Sequence, residues 1–252
     1  MAVNFEAAVG RAWKFATNID RLAAQSVMFI VALSLIFLPV VFLVRSLTAS
    51  PIQIIGLAAS GIGIFLSIII GILILIFSCL FFTHNYANQK SLSKSADFAK
   101  SRYLRFLAAM IIVGLITGIV SAAPILGIIF AIIAAIVFFF IHQAIAVSDK
   151  HLSDAFSLSY NIAKKNILAI IITFIISAVI ALVVIAIFAI PFLLVFLGSM
   201  LSMTKTQFVP MLMANMPLFL ITGIIIVIGA AFATLLTIGI KTDVYMQIRK
   251  KK

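Results

Sequence analysis

No Asp, Glu, Lys or Arg occurs in residues 22–44, 46–89, 106–148, 166–204 or 206–240. These charge-free runs constrain the chain more tightly than any motif in it. A helix crossing ~30 Å of hydrocarbon at ~1.5 Å per residue needs roughly 20 apolar residues, so every run is long enough for at least one crossing. Only 10% of the residues are charged and 65% are hydrophobic, against about a quarter and about a half in a soluble domain. That leaves too little polar surface to cover a water-soluble fold. The single Cys excludes an internal disulfide framework or a thiolate-rich metal site.

The charges also set the number of crossings. Run 22–44 takes one span, centred on Val27–Val44. Run 106–148 takes two, Phe106–Ala122 and Leu126–Val147, turning at Ala123-Pro124. Run 206–240 takes one, Leu218–Ile240, after Pro217. Ile52–Phe82 and Ile167–Gly198 are too long for one upright span and too short for two plus a turn. If each crosses once, there are six spans with both termini on one side. That side then holds every Lys and Arg except Arg45 and Lys205, together with all 6 acids. Splitting either long run would destroy this asymmetry, so both read as tilted helices or helices that outrun the hydrocarbon. Short loops rich in Lys and Arg stay cytoplasmic. The expectation is therefore an all-α polytopic protein, 1–252 forming a single integral membrane domain with both termini inside. The net charge of +12 then needs no nucleic acid. Anionic lipid is the expected partner, at about 1 kcal/mol per near-surface cation. The first span reads as a retained helix, since its apolar run exceeds the ~7–15 residues of a signal peptide and Leu47-Thr48-Ala49 is a poor cleavage site.

The inner segments carry helical periodicity. Phe5, Val9, Ala12, Trp13 and Ala16 oppose Glu6, Arg11, Lys14 and Asn18. Leu92, Ala96, Ala99 and Tyr103 oppose Lys94, Asp97, Lys100 and Arg105. Leu152, Ala155, Phe156, Ser159, Tyr160 and Ala163 oppose Asp154, Asn161, Lys164 and Lys165. Short helices with aromatic anchors and lysines on the wet face lie in the membrane interface. The anchors expected here are Trp13, Lys14, Lys100, Tyr103, Phe156, Tyr160, Lys164 and Lys165. Each helix precedes a span, a proline (Pro39, Pro124, Pro191) and a returning span. This gives three hairpin units at about 1–85, 86–147 and 148–252. Within the spans, Ala59, Gly63, Ser67 and Gly71, then Gly114 and Gly118, then Gly127 and Ala131 recur every four residues. Small residues at this spacing let helices approach closely in lipid, within the chain or in a homo-oligomer.

Chemistry is sparse. No ionisable acid or base is embedded in a span, and such groups persist in membranes mainly where function needs them. Coupled transport through a buried carboxylate and intramembrane proteolysis are thereby disfavoured, and no enzyme, cofactor or metal is expected. His84 and His142 sit near inner span ends and His151 begins the third interfacial helix, all without ligand-spaced partners. Cys79 reads as a packing residue. Five of the 9 methionines fall in 199–216 (Met200, Met203, Met211, Met213, Met216). This composition suits an outer interfacial or partner-contact loop, with Cu(I) binding the alternative.

The residues Leu152-Ser153-Asp154-Ala155-Phe156 through Ser159-Tyr160, Ala163 and Lys164-Lys165-Asn166 resemble an interfacial helix of a broad clan of six-span prokaryotic membrane proteins. The clan includes the YciC-like proteins and the membrane region ahead of some glycerophosphodiester phosphodiesterases. The resemblance implies a prokaryotic cytoplasmic membrane and says little about activity; the phosphodiesterase chemistry does not carry over, because these residues include no soluble phosphodiesterase domain. The expected function is non-enzymatic: organising or shaping the membrane, or scaffolding partners. The alternatives are an accessory subunit, or a facilitator for a neutral or lipid-like solute lined by Ser60, Ser67, Thr117, Ser121, Thr173, Ser177, Thr234 and Thr237.

Overall fold

The computed structural model describes residues 3–47, 54–122, 126–201 and 215–250, with side chains throughout except at 40–47 and 54–60. Among the described residues the chain is helical, without strands. It forms α1 (Phe5–Ala16), α2 (Ile19–Leu47), α3 (Ile54–Asn88), α4 (Leu92–Ser121), α5 (Leu126–Val137), α6 (Ile141–Ala146), α7 (Leu152–Leu201) and α8 (Met216–Arg249). Six helical stretches are long and apolar enough to cross a membrane: α2 up to Pro39, α3 from Gly61, α4, α5 with α6, α7 and α8. Both awkward runs are single helices, α3 and α7, so each passes once from end to end of the bundle.

The helix boundaries follow local chemistry. Asn4 caps α1, its Oδ1 accepting from the Ala7 amide at 2.9 Å, and Ser91 caps α4 through the Lys94 amide. α3 closes at Gln89, which adopts the left-handed conformation with φ of 47° and donates its amide to the Asn85 carbonyl. α7 leaves helical geometry at Asn166, whose Nδ2 donates to the Ile162 carbonyl at 3.1 Å. A short amide competing for backbone groups explains this kink. The segment 152–165 is thus set off from the long apolar stretch that follows.

Two elements differ from the sequence expectation. Segment 92–105 is no separate interfacial helix, because α4 runs unbroken from Leu92 to Ser121. No Gly, Pro or helix-breaking amide interrupts it there. Conversely, the fourth apolar stretch, Leu126–Ala146, keeps the length of one span but is not one unbroken helix. The helix breaks at Phe138–Phe140, and the freed backbone groups are met by Ser159 of α7. Its hydroxyl donates to the Val137 carbonyl at 2.7 Å and accepts from the Phe140 amide at 3.3 Å. A break of this kind persists where a neighbour satisfies the exposed peptide groups.

The core concentrates at the end of the bundle where the basic segments lie. Its fully buried members include Leu80, Phe82, Phe106, Phe140, Ile141, Ile145, Leu235, Leu236, Ile240 and Tyr245. α8 is the central strut, packed against α7, α1, α2 and α3. α1 seats on it through Ala12 and Gly239, where a Cβ added to the glycine would lie 2.7 Å from the Ala12 Cβ. Large aliphatic side chains of α4, α5 and α7 instead cover the outside of the opposite half, and a face of that kind suits lipid.

Candidate functional site

At the basic end, four sequence-distant segments are tied together by polar side chains. The Arg11 guanidinium of α1 donates in bidentate fashion to Asp243 of α8, both contacts at 2.7 Å. Asp243 also accepts from the Tyr86 hydroxyl at 3.3 Å and from Gln247 Nε2 at 2.7 Å. Gln247 and Asn4 exchange further bonds that fix the start of α1. Asp243 is only 4% exposed, whereas the Arg11 side chain is 52% exposed, so the carboxylate is the buried partner of the pair. Its hydrogen bond holds Arg11 above the ordinary guanidinium pKa.

A second tie joins α2 to the α3–α4 corner. Arg21 Nε donates to Asn85 Oδ1 at 2.9 Å, and Asn85 Nδ2 reaches the Lys90 carbonyl and Ser95 Oγ. The Arg21 guanidinium lies 4.5 Å from the Phe15 ring centroid. A third tie fixes α4 to the turn before α7. Arg102 clamps Asp149 with two bonds of 2.7 Å, and Arg105 adds one at 3.1 Å. These donors, Arg102 first, hold Asp149 below the usual carboxylate range. Asp149 adopts φ of 45°, a conformation that Asp tolerates better than most residues. Ser148 bonds both the Tyr245 hydroxyl and Arg249.

Between α1, α2, α3 and α8 this end opens a cavity of about 520 Å³, lined by Arg11, Lys14, Arg21, Tyr86, Asp243, Gln247 and Lys250 among others. Arg11 is neutralised by Asp243. Lys14, Arg21 and Lys250 form no ion pair with a carboxylate among the described residues, so the rim is net cationic. Such a rim can hold an anionic headgroup or phosphate through charge-assisted donors.

The structure separates the expected anchors into kinds. Trp13 is 51% exposed while its ring edge packs on Phe232 at 5.3 Å. Tyr160, Lys14, Lys100, Lys164 and Lys165 are exposed. Tyr103 is a packing residue instead: its hydroxyl donates to the Leu73 carbonyl at 2.7 Å and its ring meets Phe77 edge-on. Phe156 is half-buried against Phe138. The small-residue ladders divide likewise. Gly71 faces α2, where an added Cβ would lie 2.7 Å from the Ala32 carbonyl oxygen, and Ser67 donates to the Leu35 carbonyl. A Cβ on Gly127 would lie 2.5 Å from the Ser121 carbonyl oxygen. Gly63, Gly114 and Gly118 face open space, and Ala131 is half-buried. Ala59 lies outside the residues with described side chains.

The polar residues expected to line a solute path do not converge. The Ser121 hydroxyl donates to the Thr117 carbonyl within α4, and Ser67 is used between α2 and α3. Thr173 and Ser177 are buried in α7, while Thr234 and Thr237 line a different cavity. Ser60, Met203, Met211 and Met213 lie outside the described side chains. His84 stacks on Phe98 with ring centroids 3.8 Å apart, His142 Nδ1 is 3.8 Å from Cys79 Sγ, and His151 is exposed. Among the described residues no three His, Cys, Asp or Glu side chains cluster to hold a metal.

The sequence reading missed Asp243, Asn85, Ser159 and Lys241 as structural centres. For Asp243 a signal existed: Gly239, Asp243 and Gln247 recur every four residues on α8, the stripe that receives α1.

Residues 119–248 match a family model described as a domain of unknown function (DUF7847). The chain belongs to that family. The matched region runs from the end of α4 through α8 and includes Asp149 and Asp243, but not α1 or Arg11. No curated protein matches the chain, and no solved structure does.

Proposed function

We propose that this chain is a non-enzymatic multi-pass membrane protein that organises anionic lipid around a rigid cationic platform. The six long apolar helices cross the bilayer as three hairpins, and the basic end faces the cytoplasm, where short Lys- and Arg-rich segments are retained. One observation carries the reading. Arg11–Asp243, Arg21–Asn85 and Arg102–Asp149 lock the basic segments to one another, while Lys14, Lys100, Lys164 and Lys165 remain on the surface beside Trp13 and Tyr160. A pre-organised set of cations loses less freedom on engaging headgroups than flexible loops would, and each contributes about 1 kcal/mol against an anionic leaflet. Half-exposed Trp13 and Tyr160 supply the amphipathic rings that settle at headgroup level. The likeness to the six-span clan, a repeat of three units and self-association all fit within this reading.

The test is reconstitution into vesicles with and without anionic phospholipid, together with a variant carrying Lys14, Lys100, Lys164 and Lys165 as Gln. Anionic lipid retained on the purified parent, and altered vesicle shape or protein clustering that depends on anionic lipid and falls in the variant, are expected. Identical behaviour on neutral and anionic vesicles refutes the platform. Exterior labelling of a cysteine placed at Lys94 refutes the orientation.

A further inference from the structure

A second cavity, of about 300 Å³, lies among α3, α6, α7 and α8 and shares no lining residue with the one at the basic end. Its α8 wall is a stripe of Ala230, Thr234, Thr237 and Lys241, placed on one face by steps of four, three and four residues. Lys241 was expected on the wet inner surface, just beyond the last span. It turns inward instead: its Nζ lies 4.8 Å from the Phe139 ring centroid. Among the described residues it forms no ion pair with a carboxylate. Gln143, only 2% exposed, lines the same space, and its Oε1 has no hydrogen-bond partner. About three turns away the walls become apolar, with Ala181, Ile185, Ala230 and Ala233. Ile185 there is 41% exposed, so this end reaches the outside of the bundle.

A cation held between helices without a counter-ion is unfavourable, and the face of one Phe ring offsets only part of that. An anion on Nζ would neutralise the ammonium. Rotation of the Gln143 amide offers that anion a donor, and a hydroxyl-bearing head an acceptor. The rest of the space has no charge to offer and lies along ~17 Å of α8, which suits an extended alkyl chain. Its volume is at the lower end of ordinary ligand sites. We propose that this groove binds an anionic amphiphile, with its head on Lys241 and its chain running between α7 and α8 towards Ile185. A fatty-acid carboxylate and a lipid phosphate share the required chemistry. The inference uses the membrane reading but none of the basic platform.

The experiment captures the detergent-purified full-length chain on beads and follows bound radiolabelled dodecanoate, with dodecyl phosphate, inorganic phosphate and dodecanol as competitors. Dodecanoate and dodecyl phosphate should compete, the stronger of them naming the head. Dodecanol and inorganic phosphate should each compete about ten-fold less well or worse, lacking one half of the ligand. Lys241→Met should weaken binding about ten-fold or more, the range of a charge-assisted hydrogen bond, while Lys241→Arg retains it. Ala230→Phe, which fills the apolar end, should also abolish binding, and Lys250→Gln at the other cavity should leave it unchanged. Parent-like binding by Lys241→Met, competition by dodecanol equal to that of dodecanoate, or a Lys250→Gln loss as large as that of Lys241→Met overturns the proposal. If Lys241→Met does not fold, the remaining variants decide: binding kept by Ala230→Phe or lost in Lys241→Arg overturns it. The vesicle experiment fails or succeeds independently, since none of its substituted lysines touches this groove.

Discussion

The Arg11–Asp243 pair gives an asymmetric prediction. Asp243 is buried and Arg11 is half-exposed, so the two single substitutions leave different debris. Arg11→Met strands a carboxylate that water barely reaches, with only the Tyr86 hydroxyl and the Gln247 amide still donating to it. Removing one partner of a buried pair costs about 3–5 kcal/mol, and those two donors place this case near the lower figure. Asp243→Asn strands a guanidinium that can turn into solvent, and costs about 1–2 kcal/mol, the range for lost hydrogen bonds with rehydration of the charged group. Because α1 also rests on Gly239, Tyr86 and Phe232, it should loosen rather than unfold the bundle. Tryptic cleavage after Lys14 reports that loosening, since cleavage tracks the open population when reclosing is fast. At ten-fold per 1.4 kcal/mol, Asp243→Asn should accelerate it roughly 5- to 30-fold, and Arg11→Met roughly 100-fold or more. The double variant should fall below the product of the two, as coupled sites do. Equal rates for the single variants, or a faster rate for Asp243→Asn, would refute the assignment of Asp243 as the buried partner.

Three further outcomes are expected. Gly239→Val should destabilise the α1–α8 seat by about 1–3 kcal/mol through overpacking against Ala12, whereas Gly114→Ala, on an open face, should be neutral or stabilising by up to about 1 kcal/mol; melting midpoints in one detergent compare them. Gln25 is fully buried and neither of its amide atoms has a partner among the described residues, so Gln25→Leu should raise stability by about 1–3 kcal/mol, and a lowered midpoint would contradict this. Asp149 is held below its ordinary value, so its contribution is complete above the unfolded carboxylate pKa of about 3.9 and disappears as pH falls through the lower folded value. Melting midpoints should therefore separate parent from Asp149→Asn at pH 5–7 and converge towards pH 2.

How much was legible in the sequence depends on the range of the interaction. The charge-free runs were enough for the six long apolar stretches, because backbone hydrogen bonding in an apolar stretch is satisfied locally, though not for where each helix breaks. They also implied one helix rather than two for each of the two longest runs, and the described residues of these runs form α3 and α7. Helical periodicity correctly placed Ala12 and Ala16 on the buried face of α1 and Lys14 on the wet one. It could not show that Tyr103 bonds to Leu73 and so is no free anchor, because that partner lies 30 residues away on another helix. The four-residue ladders were visible, but whether a small residue faces a neighbour or open space depends on helix rotation. Gly71 and Gly118 therefore look alike in sequence and differ in the fold.

The sequence by itself determined a chain of apolar helices joined by basic segments, because hydropathy and charge act residue by residue. Only the tertiary structure decided which charges pair and which remain alone. It buried Asp243 beneath Arg11, broke the fourth span at Phe138–Phe140 under Ser159, and turned Lys241 from the expected wet surface into a cavity. The physical reason is common to all three: the energy of a polar group depends on the partners and solvent around it, and packing of distant segments supplies both.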